Sequence, residues 1–162
     1  ETSGFYADAL EKILPFVNNV AMDFKTGFNA DDYAKISGFR GEPATLMQDT
    51  FRSLRILRKA KQERPDLYVE FRTTIIPGIN DDAQTIASIS QEIGFADKYA
   101  LQQFTPHPGL SDPQFAARGE THPLKLIELA QTASVHVKNV VVRTHPDGEA
   151  PFEPLTAATM EL

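Results

Sequence analysis

Asp23 and Lys25 stand two residues apart at the end of the run VAMDFK (20–25), so in an extended chain both side chains point to one face. Glu70, Arg72 and Thr74 share a parity in the same way within YVEFRTTII (68–76). Charge inside a strand is costly to bury unless it is paired. These residues therefore need either each other, as interior ion pairs, or a charged ligand, and the pattern alone leaves both readings open. Gln102 and Gln103 close the run KYALQQF (98–104), with Thr105 directly after it. Glu1-Thr2-Ser3-Gly4, polar residues and a glycine before a helical segment, reads as the end of a strand.

Other chemistries lack their residues. The chain of 162 residues contains no cysteine. It cannot by itself form a disulfide, a thiolate nucleophile, a zinc–thiolate site or a cysteine-ligated iron–sulfur cluster. His107, His122, His136 and His145 show no metal-ligand spacing and read as loop or surface histidines. There is no GxSxG elbow, phosphate-binding loop or GxGxxG. Lys and Arg number 16 against 22 acids, a formal charge of −6. That balance counts against nucleic acid or an anionic membrane as partner. With 41% apolar and 23% charged residues the chain can bury a core. No apolar run approaches the length of a membrane span, and ETSGFYADAL has neither the basic nor the apolar region of a signal peptide. A reducing, cytoplasmic setting is the expectation.

The elements that must carry these residues follow from periodicity and punctuation. A helix is expected over 6–16, ended by Pro15, then a strand over 20–24. Residues 26–42 read as loop with a short helical turn at 30–36. Pro43 opens the strongest helix, 43–63, whose Arg52, Arg55, Arg58, Lys59, Lys61 and Arg64 read as a solvated face. The clearest strand is 68–76, closed by Pro77-Gly78. Asp81 and Asp82 suit the cap and first turn of a helix reaching Ile93, stopped by Gly94. A strand at 98–104, an irregular stretch at 105–113, a helix at 123–134 and a strand at 137–143 complete one unit over 1–145. Residues 146–162 read as a tail. Strands alternating with helices make an α/β fold with a parallel sheet, and such folds bind ligands at the carboxyl ends of the strands. Four strands cannot close a barrel of about eight, but can form one arc of an open one.

ETSG, VAMDFK, EFRTTIIPGIND and YALQQF, in this order and spacing, resemble the carboxyl half of a radical S-adenosylmethionine (SAM) enzyme. The resemblance is to glycyl-radical-enzyme activating proteins, of the anaerobic ribonucleoside-triphosphate reductase or pyruvate formate-lyase activating type. It implies the carboxyl-terminal part of an open, partial TIM barrel. In that family a CxxxCxxC loop holding a [4Fe–4S] cluster and a GGEP stretch come earlier, which places both before residue 1. Gly41-Glu42-Pro43 is no substitute, since it opens a helix and follows ETSG.

Carried over, Glu1 and Thr2 match the strand-end acid and threonine beside the SAM carboxylate. Asp23 and Lys25 match the DxK pair near the sulfonium and carboxylate, and Arg72 an arginine facing the barrel interior. TIIPGIND (74–81), with Ile76 at its centre, resembles the GxIxGxxE element whose backbone lies against adenine. It departs by having Thr74 for the first Gly and Asp81 for the Glu. Gln103 is expected on the same concave surface, and Thr105 falls near a SAM-contacting histidine of some relatives, with His107 two residues away. The implied activity is reductive cleavage of SAM to a radical that takes hydrogen from a glycine of a partner, such as anaerobic ribonucleotide reductase. The electron would come from a flavodoxin or ferredoxin. This chain alone, lacking the cluster cysteines, would be inactive. Two alternatives stand beside this reading: a radical SAM enzyme acting on a small molecule or RNA, and a non-catalytic α/β binding module.

Overall fold

The computed structural model describes residues 1–107, 109–110, 112–145 and 147–154. Four parallel strands, β1 (Asn19–Asp23), β2 (Tyr68–Ile75), β3 (Lys98–Gln103) and β4 (Val140–Thr144), lie side by side in chain order. A fifth strand, β5 (Gly148–Pro151), pairs antiparallel with β4. Helices α1 (Ala7–Ile13), α2 (Ala30–Ser37), α3 (Pro43–Glu63), α4 (Ala83–Glu92), α5 (Pro113–Ala116) and α6 (Pro123–Ala133) fill the connections. The fold is thus α/β with a mostly parallel sheet, as the alternation predicts. Each crossover advances one strand in the same direction, and crossovers of one hand then put the helices on one face.

Burial follows that geometry. Val20, Met22, Val69, Phe71, Tyr99, Leu101 and Val140 share one parity of their strands, and all join one core with Leu54, Leu57, Ile86, Ile89, Leu126 and Leu129 of the helices. A large apolar side chain so buried contributes about 1.5–3 kcal/mol by transfer alone. The opposite parity carries Ala21, Asp23, Glu70, Arg72, Lys98, Gln102 and Arg143, aligned across the sheet by the registers Asp23↔Arg72, Glu70↔Lys98 and Gln102↔Arg143.

The structure corrects several boundaries. The last parallel strand starts at Val140 rather than 137, because the N–H of Val137 still donates to Ala133 at the end of α6. The turn at 30–36 is a full helix, α2, capped by Asn29, whose Oδ1 accepts from the N–H of Asp32. In the stretch read as irregular, Pro113 occupies the first turn of α5, where its missing N–H costs nothing. Part of the expected tail is strand: Gly148, at φ +80, turns the chain back, and Glu149 pairs with Lys98 and Arg143. Pro146 and residues 155–162 of that tail, and Pro108 and Ser111 of the irregular stretch, lie outside the described residues. The basic side of α3 is not merely solvated. Arg52 pairs with Asp8 and Glu11, Arg58 with Glu92 and Lys61 with Asp97, while Arg64 donates to the carbonyls of Leu14 and Val17.

Candidate functional site

The ends of β1 and β2 hold the charged residues together. Arg72 Nε donates to Asp23 Oδ1 at 3.0 Å, and Arg72 Nη2 lies 2.6 Å from Glu1 Oε1. Lys25 Nζ donates to Asp23 Oδ2 at 2.6 Å. Asp23 thus sits between two cations and Arg72 between two carboxylates. Nη2 is buried and meets Glu1 and Asp23 as charge contacts without a well-directed hydrogen bond. Burial works against the guanidinium charge, but Glu1 and Asp23 outweigh it and hold the Arg72 pKa above its ordinary value. Of the two readings the sequence left open, the ion pairs exist. They lie at strand ends, where a ligand can exchange for one partner.

The end of β1 is pinned from several sides. Tyr33 of α2 accepts from the N–H of Lys25 at 3.2 Å, and burial pushes its phenol pKa well up, so the hydroxyl stays neutral. Asn80 is fully buried and clamps two strands. Its Nδ2 donates to the carbonyls of Lys25 and Thr74, and its Oδ1 accepts from the N–H of Ile76. On the core side Tyr99 donates to Thr73, and Thr73 donates to the Phe24 carbonyl at 2.7 Å. Neither Tyr33 nor Asn80 figured among the expected site residues. The only local hint is the Asn in PGIND, and its partners lie on another strand.

Glu1 and Thr2 extend the sheet on the free edge of β1, where the N–H of Thr2 donates to Ala21 and its carbonyl accepts from Asp23. The bridge is parallel, as a strand end there requires. Gly4 adopts φ +77, and a Cβ there would collide with the Met22 side chain, which explains the glycine of ETSG. The Thr2 hydroxyl does not join the ion pairs; it accepts from the N–H of Gly4.

Beside the ion pairs a cleft of about 460 Å³ spans the carboxyl ends of the four parallel strands. Lys25, Thr74, Ile76, Gln103, Thr105 and His145 all line it. Four expected site residues, Lys25, Ile76, Gln103 and Thr105, therefore meet there, but not all in the expected manner. Ile76 offers its side chain, since its N–H is held by Asn80 and its carbonyl accepts from Ile79. Gln103 has the parity opposite to that of Gln102, the residue level with Thr74. Both ends of its amide are engaged, Nε2 by the Thr121 carbonyl and Oε1 by the N–H of His145, so it works as a clip between strand ends. Thr105 donates to Glu120. His145, read from sequence as an ordinary loop histidine, faces the cleft because β4 ends directly beneath it.

Among the described residues no three His, Cys, Asp or Glu side chains are grouped to hold a metal ion, and no helix is long and apolar enough to cross a membrane. The fold and these strand ends define an α/β protein with a charged, partly apolar cleft at the carboxyl edge of a parallel sheet. No family model matches the chain. It is 27% identical over 146 residues to a protein of Methanocaldococcus jannaschii named a glycyl-radical enzyme activating enzyme. It is 29% identical over 148 residues to the isethionate sulfite-lyase activating enzyme of Nitratidesulfovibrio vulgaris. Each alignment covers 89% of this chain, against 57% and 43% of the relatives, so the chain spans about half the length of the curated relatives it matches. Both relatives are activating enzymes, and the similarity is to proteins of that kind.

Proposed function

We propose that this chain is part of a radical SAM activating enzyme and supplies strand-end residues that bind and orient SAM for generating a glycyl radical on a partner enzyme. The observation that carries the reading is the chain of contacts Glu1–Arg72–Asp23–Lys25 at adjacent parallel strands, whose last member, Lys25, lines a partly apolar cleft. That set fits the cofactor. SAM brings a carboxylate, an ammonium, a sulfonium and an aromatic base. Lys25 and Arg72 are cations for the carboxylate, Glu1 and Asp23 are acids for the cationic groups, and Ile76 and Phe104 are an apolar surface for the base. The partial-barrel architecture of that family is part of the same proposal.

Bound SAM supplies the radical chemistry. The residues of this chain bind, orient and exclude water. Asp23 holds Lys25 and Arg72 at fixed spacing, and Asn80 and Tyr33 fix the backbone from which Lys25 projects. A [4Fe–4S] cluster does not fit these residues, because the chain has no cysteine. In this proposal cysteines outside the chain hold it.

Calorimetric titration of SAM into the full-length protein tests the reading. Arg72→Ala and Lys25→Ala should each weaken binding by about 1–3 kcal/mol, roughly 5- to 150-fold, the scale of losing a charged hydrogen bond. Affinities within about twofold of wild type for both variants would remove the assignment.

A further inference from the structure

The turn after β2 is also held by a residue that does not line the cleft. Arg118, in the connection between α5 and α6, donates through Nη1 to the carbonyl of Pro77 at 3.0 Å and reaches that of Gly78 at 3.5 Å. Three residues on, the Thr121 hydroxyl donates to the Ile75 carbonyl at 2.5 Å, and the N–H of Thr121 donates to the Phe104 carbonyl at 3.0 Å. The stretch from Arg118 to Thr121 thus takes three carbonyls at the end of β2 and one just past β3. Its two anchors differ. Thr121 is buried at 2% exposure, whereas Arg118 is only half-buried.

Among the described residues Arg118 has no carboxylate partner, and no backbone N–H donates to the carbonyls of Pro77 or Gly78. The guanidinium therefore serves a turn whose outer carbonyls have no other donor. Within that turn the N–H of Gly78 donates to Asp81 Oδ1, that of Ile79 to the Ile76 carbonyl and that of Ile76 to Asn80 Oδ1. Gly78 sits at φ +69, and a Cβ there would stand 3.2 Å from Arg118 Nη1, so the glycine leaves room for the guanidinium. A half-exposed arginine adds little stability by such bonds, because ordering its long side chain costs entropy. What the contact fixes is position. It ties the connection after β3 to the turn after β2, and that turn holds the end of β1, where Asn80 Nδ2 donates to the Lys25 carbonyl at 2.7 Å.

We infer that Arg118 is a positioning residue of the SAM site: it holds the turn from Ile76 to Asn80, which through Asn80 fixes the backbone of Lys25 and through Ile76 fixes one wall of the cleft. The inference rests on the proposed function for what the positioned residues bind, while the hold on the turn stands apart from it. Loss of Arg118 frees the outer carbonyls but leaves Thr121 on Ile75 and Phe104, so the turn loosens while the sheet stays formed. SAM then has to order the turn as it binds, and affinity falls because the site is no longer preorganised.

The test compares Arg118→Ala and Arg118→Lys with wild type in the full-length protein, by amide hydrogen exchange and by SAM titration. Arg118→Ala should speed exchange of the Ile76 and Ile79 N–H groups by about tenfold or more, with that of Phe71 in the core unchanged. Its SAM affinity should fall by about fivefold. Arg118→Lys keeps a donor for the Pro77 carbonyl, so it should restore slow exchange and bring affinity back to within about twofold of wild type. Unchanged exchange at Ile76 and Ile79 in Arg118→Ala, equal acceleration at Phe71, unchanged SAM affinity, or a loss that Arg118→Lys does not recover overturns the inference. Failure of the wild-type protein to bind SAM instead strikes the proposed function. The exchange rates, which need no SAM, then decide for or against Arg118 as the residue that holds the turn.

Discussion

The two faces of one sheet are built from alternate residues of the same strands, and they solve opposite problems. The helix-packed face carries Phe71, Tyr99 and Leu101, all fully buried, with an internal polar thread from Tyr99 to Thr73 to the Phe24 carbonyl. The open face carries Glu70, only 9% exposed, held by Lys98 at 3.0 Å and Arg143 at 2.7 Å, and next to it Arg72 between Glu1 and Asp23. Apolar burial stabilises without regard to direction. Buried ion pairs roughly break even, because desolvation offsets their attraction. A sheet face lined with them gains little stability from its charges, and in the proposed function those at the ends of β1 and β2 serve to hold SAM. Burial opposes the charges of Lys98 and Arg143 too, yet Glu70 and Glu149 outweigh it and hold both pKa values above the ordinary ones.

This contrast can be broken by mutation. Phe71→Ala should have the largest effect, a loss of about 3–5 kcal/mol of unfolding free energy in urea titration, since it leaves a cavity at the centre of the core. Glu70→Ala should cost less, about 1–3 kcal/mol, by leaving Lys98 and Arg143 with Glu149 as their remaining carboxylate partner. If Glu70→Ala proves as costly as Phe71→Ala, the open face is structural in its own right and the functional explanation of its charges weakens.

The smallest effect is one of pH. Burial acts to raise the Glu149 pKa, but Arg143 and Lys98 prevail and hold it below the ordinary carboxylate value of about 4.3. A carboxylate with a depressed folded pKa stabilises above its unfolded pKa, and that stability fades as pH falls through the folded value. The melting temperature of wild type should therefore drop more steeply below about pH 4.3 than that of Glu149→Gln, the two curves converging in acid. The side chain of Glu149 is 36% exposed, so solvent screening keeps the difference small. Parallel curves would show that the pairing of β5 with β4 owes nothing to this charge. Lys98 and Arg143 add no slope in this window: with raised pKa values, their contribution is lost only in strong alkali.

Much of the scaffold is written locally. The 43–63 helix begins and ends where Pro43 and Arg64-Pro65 place it, Asp82 caps α4 by accepting from the N–H of Thr85, and a β-branched and aromatic run closed by Pro77-Gly78 marks β2. The shared parity of Asp23 with Lys25 and of Glu70 with Arg72 is local for the same reason: strand geometry fixes it whatever else the chain does. Short elements were not legible. α5 has four residues and β5 has four exposed ones, so neither has the apolar periodicity that betrays an element.

Partner choice lay beyond the sequence altogether. Arg72 meets Asp23 across 49 residues, Glu70 meets Arg143 across 73, and Asn80 reaches the Lys25 carbonyl across 55. Gln102 and Gln103 are chemically identical neighbours. Only the register with β2 and β4 makes one a residue of the open face and the other a clip to Thr121 and His145. Residue type and spacing determine which groups can carry charge and which way they alternate, because those properties depend on a few adjacent bonds. Which charges neutralise one another, and which histidine looks into the cleft, depend on strand register and on where connections cross the sheet, and these arise only when distant segments pack.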